Sequence, residues 1–90
     1  MTLITEHYKI FGRVQGVGFR NATVTHAKKF PVTGTVANVE DYVEIFVSGD
    51  EKSVHAFMER ILKGPNMFAK ISSHTHEQVP YQDFKQFKQV

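Results

Sequence analysis

From Asp50 to Gly64 the chain reads "DEKSVHAFMERILKG", and the apolar residues Val54, Phe57, Met58, Ile61 and Leu62 recur within it at i, i+3, i+4, i+7 and i+8. That spacing gathers them on one side of a 3.6-residue helix. Asp50 suits the N-cap, Glu51 suits the positive end of the helix, and Gly64 followed by Pro65 stops it. A stripe of this kind is unfavourable in water and needs an apolar surface to cover. A second helical period begins at the Phe19–Arg20 pair, where Phe19, Thr23, Ala27 and Phe30 share a face, and it is expected to run to Phe30, because Pro31 offers no further backbone donor.

The segments around these two helices alternate with period two. In "ITEHYKIF" Ile4, Tyr8 and Ile10 fall on one side and His7, Lys9 and Phe11 on the other, with Phe11 the apolar misfit. "VTGTVAN", residues 32–38, and "YVEIFVSG" read as two more strands joined by a tight turn over Asn38 to Asp41. In the second of them Val43, Ile45 and Val47 oppose Tyr42, Glu44 and Phe46. "AKISSHTHEQV" and "DFKQFKQV" supply two further extended segments, the last short and weakly patterned. Two amphipathic helices interleaved with these strands require one common sheet face. The order predicts an α+β chain of the ferredoxin-like class, a split βαβ sandwich (βαββαβ) with an antiparallel sheet and both helices on one face. Ninety residues without internal repeat or low-complexity linker are expected to form a single domain, 1–90.

Composition narrows the chemistry. Zero cysteines exclude disulfides, thiol nucleophiles and thiolate metal sites, and set a cytoplasmic location as the expectation. No run approaches the ~18 apolar residues that would span a membrane, and "MTLITEHYKIF" lacks the charged and apolar regions of a secretion signal. The net charge of +2 permits anionic partners without demanding them. With no long apolar patch outside the expected core, a monomer is expected.

The connection between the first strand and first helix, "GRVQGVGFR" at residues 12–20, is where chemistry concentrates. Glycines at 12, 16 and 18 allow successive N–H groups to turn inward as an anion cradle. The start of the helix adds unpaired N–H groups and a positive dipole end. Arg20 adds a planar charged fork matched to two phosphate oxygens. It is neither of the common nucleotide loops: no Gly-Lys-Ser/Thr is present, and Asn21 stands where a dinucleotide fingerprint needs Gly or Ala. Taken alone, the loop is equally a sharp strand-to-helix connection with a solvated arginine, and Asn38 alone reads as a turn residue.

Taken together, "GRVQGVGFR", Thr23, Ala27 and "GTVAN" resemble the acylphosphatase signature, a Gly-x-Val-Gln-Gly-Val-x-Phe-Arg loop followed by a Gly-x-Val-x-Asn strand. The resemblance continues through "VEIFVSGDEKSVHAFMERILKGP" and covers nearly the whole chain. It implies the same split βαβ fold and hydrolysis of acyl phosphates to a carboxylate and inorganic phosphate without metal or cofactor. By the match, the Arg20 side chain and the N–H groups of Gln15, Gly16, Val17, Gly18, Phe19 and Arg20 hold the phosphoryl oxygens, and Asn38 holds the attacking water. Inorganic phosphate and sulfate are expected to compete for the cradle. The chain departs from the pattern at "FPV", where many members have Leu-Gly-Leu, at Thr35, where they have an aromatic, at Val39, where some have a small polar residue, and at "DYV", shorter than Asp-Gly-x-Val. The shorter hairpin beside Asn38 sets an expectation of modest turnover.

Other chemistries leave weaker traces. His74 and His76 share a face of an extended segment, but no third zinc ligand follows at a suitable spacing, and solvated histidines are expected. His7, His26 and His55 are scattered at no catalytic spacing, and Met58 beside Phe57 belongs to the helix stripe. An RNA-binding sheet would stack bases on Tyr42 and Phe46, with Phe11 or Tyr8, yet Glu44 sits between the first two and would repel phosphates. No nucleic-acid or membrane partner is expected. A domain that had lost activity and kept only binding would have no reason to retain both Arg20 and Asn38.

Overall fold

A computed structural model of the chain describes residues 2–90. Five strands and two helices follow in the order β1 (Leu3–Arg13), α1 (Phe19–Ala27), β2 (Val32–Val39), β3 (Tyr42–Asp50), α2 (Glu51–Leu62), β4 (Lys70–Val79) and β5 (Phe87–Gln89). The sheet order is β4-β1-β3-β2-β5. The split βαβ arrangement expected from the periods is therefore present, with β3 inserted between β1 and β2.

The sheet differs from the expected antiparallel one in its fifth strand, which pairs parallel to β2 with Val36 opposite Gln89. The path of the chain explains the direction. β4 runs from Lys70, opposite Arg13, down to Val79, opposite Thr5, and so finishes at the end of the sheet where β1 begins. The following segment crosses that end: the Gln82 N–H donates to Thr5 Oγ1 at 2.8 Å, and the Ser48 hydroxyl donates to the Gln82 carbonyl at 2.7 Å. Thr5 and Ser48 are buried beneath the crossing. The chain emerges beside the start of β2 and can only run upward with it.

Helix α1 ends at Ala27, three residues before the Phe30 limit expected from the sequence. Residues 28–30 continue in a tighter winding, with Lys29 N–H donating to the His26 carbonyl at 2.9 Å and Phe30 N–H to Ala27 at 3.2 Å. The residue before a proline is pushed out of the α region, so Pro31 acts upstream of its own position.

The core lies between the helices and one sheet face. Val54, Phe57, Met58 and Ile61 from α2 and Phe19, Thr23 and Ala27 from α1 are buried over Ile4, Tyr8, Ile10, Val36, Val43, Ile45 and Val47. Phe57 anchors this layer between the edges of Phe30 and Phe87, at 5.6 and 5.3 Å between ring centres. The apolar misfit Phe11 finds Tyr42 on the opposite face, 5.3 Å away, and Lys9 lies over the same tyrosine ring. Phe46 there is covered by His7, stacked at 4.2 Å, whose Nε2 bonds the Glu44 carboxylate at 2.8 Å. Tyr8 is buried on the helix side and cannot stack a base. No described helix is long and apolar enough to cross a membrane.

Candidate active site

The βαβ topology sends β1 and β2 in the same direction, so their C-terminal ends lie at one edge of the sheet. Register fixes the relation: Ile10 and Asn38 flank Val43 on opposite sides. Asn38 continues the Val32, Gly34, Val36 alternation and therefore faces the helix layer. The loop leaving β1 crosses above β3 and enters α1, which packs over β2 and β5. Asn38 and the start of α1 thereby converge.

They bound a pocket of about 150 Å³ whose walls include Gly16, Gly18, Arg20 and Asn38. This is well below the ~300 Å³ at which drug-sized ligand sites begin, and suits a small anion better than an organic cofactor. Buried Val14 and Phe19 close its inner side. Asn21 and Gln89 also line it. Neither was marked by the sequence reading: Asn21 entered only as a mismatch to a nucleotide fingerprint, and Gln89 reaches the pocket only because β5 runs parallel to β2. Gln15 and Val17 are not among the lining residues, and their side chains face elsewhere. The Gln15 amide donates to the carbonyls of Glu40 and Tyr42 at 2.9 and 3.0 Å, while Val17 packs against the core.

Local backbone explains the cradle. Gly16 and Gly18 have φ of 73° and 74°, left-handed values that glycine adopts without strain. Gly18 is also the N-cap of α1, and it offers no side chain to satisfy the first turn. That turn holds no acidic residue. The N–H groups from Gln15 to Asn21 consequently find no acceptor among the described residues. Helix α2 is the contrast within the same chain: the Asp50 carboxylate accepts from the N–H groups of Lys52 and Ser53, and Glu51 stands in the first turn. One helix start is capped and neutralised; the other is left open beside an arginine. Arg20 enters no ion pair among the described residues.

The shortened hairpin is a two-residue turn, Glu40-Asp41, between paired Val39 and Tyr42. Glu40 takes a positive φ of 50° to close it. The two bonds from Gln15 tie this turn to the loop, so the segment that follows Asn38 is held against the cradle.

A family profile described as acylphosphatase matches residues 6–89. The chain belongs to the acylphosphatase family. The acylphosphatase of Staphylococcus aureus strain Newman is 41% identical over 73 residues, which cover 81% of this chain and 82% of the relative. Among solved structures, the acylphosphatase from Bacillus subtilis superposes with a TM-score of 0.90 at 30% identity, covering 99% of each chain. Full-length HypF, solved in a phosphate- and nucleotide-bound form, superposes with a TM-score of 0.92 at 34% identity; the match covers 99% of this chain but only 12% of HypF. As a member of the acylphosphatase family the chain is a hydrolase acting on acyl phosphates.

Away from this site, His74 and His76 stack with each other and with Tyr8 on the helix side of β4. No group of three or more His, Cys, Asp or Glu among the described residues is arranged to hold a metal ion. A buried carboxylate missed by the sequence reading lies nearby: Glu6 accepts from the Tyr8 hydroxyl at 3.0 Å and pairs with His55 at 3.4 Å. The only sequence signal was an acid at a core-facing position of the first strand's alternation.

Proposed function

We propose that the pocket hydrolyses the carboxyl-phosphate anhydride by direct attack of water, with the phosphoryl group held in the open N–H cradle of residues 15–20 and by Arg20. The observation that carries this reading is the run of backbone N–H groups from Gln15 to Asn21, left without acceptors among the described residues, beside a guanidinium that pairs with none of them. Such donors stabilise the charge that spreads over the equatorial oxygens in phosphoryl transfer.

Asn38, which lines the same pocket as the arginine, accepts a hydrogen bond from the water and aims its oxygen at phosphorus. A carboxamide cannot take the proton. No carboxylate or imidazole of the described residues lines the pocket, and the proton passes to a phosphoryl oxygen of the substrate. The bond from water oxygen to phosphorus forms as the phosphorus–acyl oxygen bond breaks. The leaving group departs as a carboxylate of pKa near ~4, so it requires no general acid. Backbone and guanidinium supply the charge stabilisation, and the reaction requires no metal.

The test is hydrolysis of benzoyl phosphate by the purified protein, with and without a chelator, alongside Arg20→Ala and Asn38→Ala. Turnover unaffected by chelator is expected. Arg20→Ala should lose at least about a hundredfold in kcat/KM, corresponding to ~3 kcal/mol of transition-state stabilisation. Asn38→Ala should lower kcat with little change in KM. Full activity in a folded Arg20→Ala protein would overturn the assignment.

A further inference from the structure

The turn between α2 and β4 reaches the cradle through the Asn66 side chain. Asn66 Nδ2 donates to the Val17 carbonyl at 2.8 Å, across 49 residues of sequence. Its Oδ1 accepts from the N–H groups of Phe68 and Ala69, both at 3.0 Å. One carboxamide thus closes its own turn and grips the crown of the loop. The turn is anchored a second time, because the His26 Nε2–H donates to the carbonyl of buried Pro65 at 2.9 Å.

The grip on Val17 has a directional consequence. No cis peptide bond occurs among the described residues, and in a trans peptide the carbonyl of one residue and the N–H of the next point in opposite directions. With the Val17 carbonyl drawn outward to Asn66, the N–H of Gly18 is turned the other way, toward the pocket that Gly18 lines. We propose that Asn66 is a positioning residue of the phosphate site, orienting the Gly18 N–H through the Val17 carbonyl; this rests on the acylphosphatase reading of the pocket. At the other end of the loop the Gln15 amide ties the chain to the β2–β3 turn, so the loop is held from two sides by carboxamides, neither of which takes up an N–H of the cradle. The donors remain free for the anion.

The experiment uses the full-length ¹⁵N-labelled protein and Asn66→Ser, each titrated with inorganic phosphate while the Gly16 and Gly18 amide resonances are followed. Thermal midpoint and benzoyl phosphate hydrolysis are measured on the same samples. Serine can still accept from the Phe68 N–H but is too short to reach Val17. In the wild type both glycine amides should shift on saturation. In Asn66→Ser the Gly18 shift at saturation should shrink while that of Gly16 persists, phosphate affinity should weaken roughly three- to tenfold, the range of one net hydrogen bond, and kcat/KM should fall by a similar factor. A merely structural role would lower the thermal midpoint and leave the Gly18 response intact, which overturns the proposal. So does a wild-type Gly18 amide that ignores phosphate. If Asn66→Ser does not fold, Asn66→Asp keeps the oxygen that accepts both turn bonds and lacks the donor; a wild-type Gly18 response there overturns the proposal equally. A wild type that binds phosphate through Gly18 in an Asn66-dependent way, yet does not hydrolyse the acyl phosphate, upholds the positioning role and defeats the hydrolytic reading alone.

Discussion

At the scale of residues, the site depends on which polar groups are satisfied and which are left open. Glu6 is buried and has partners; the loop N–H groups have none among the described residues. Tyr8 belongs to the satisfied class. Burial, then the charge of Glu6 and the hydrogen bond to it, push the Tyr8 phenol well above its ordinary range. A phenol whose folded pKa lies above its unfolded value of ~10 contributes stability that is fully present below that pH and lost as pH rises beyond it. The urea midpoint should therefore decline above about pH 10, and decline less in Tyr8→Phe. That variant should be less stable at pH 7 by about 1–2 kcal/mol, because Glu6 loses a buried donor. Arg20 could be suspected from sequence as a first-turn cation beside glycines, but that it pairs with no carboxylate among the described residues became visible only in three dimensions.

At the scale of elements, two helices of similar length solve the same terminal problem in opposite ways. α2 closes its start with Asp50, whose carboxyl is held below the ordinary carboxylate range chiefly by the Ser53 hydroxyl, with backbone bonds from Ser53 and Lys52 adding to it. A depressed pKa contributes stability above the unfolded value of ~3.9 that is lost as pH falls through the folded one. Urea titrations between pH 5 and pH 2 should show this loss in the wild type and a shallower slope in Asp50→Ala. α1 has no such cap, and its open end is available to an anion instead. The capping of α2 was legible, because Asp50, Glu51 and the stripe are all local signals. The extent of α1 was not, since the influence of Pro31 on the preceding residue competes with an otherwise good helical period.

At the scale of the molecule, the pocket is assembled from segments far apart in sequence: a loop after β1, the end of β2, and β5 at the close of the sheet. Phe87 holds the last of these by packing against Phe57, and Gln89 follows two residues later. Phe87→Ala should cost about 2 kcal/mol, less than a fully buried phenylalanine. Because β5 carries Gln89 to the pocket, phosphate affinity should fall with it. Chemical denaturation and phosphate titration on the same sample would check both, and an unchanged affinity would separate β5 from the site.

The amino-acid order alone determined the periods, and through them the two helices and the four long strands, because each of these rests on residues a few positions apart. It also carried the glycines and arginine of the loop, and the family likeness that joins them to Asn38. Only the tertiary structure decided that β5 runs parallel, that Gln89 joins the pocket and that Asn66 grips the loop. These contacts depend on where the chain travels between elements, and a hydrogen bond spanning 49 residues leaves no periodic trace in the sequence.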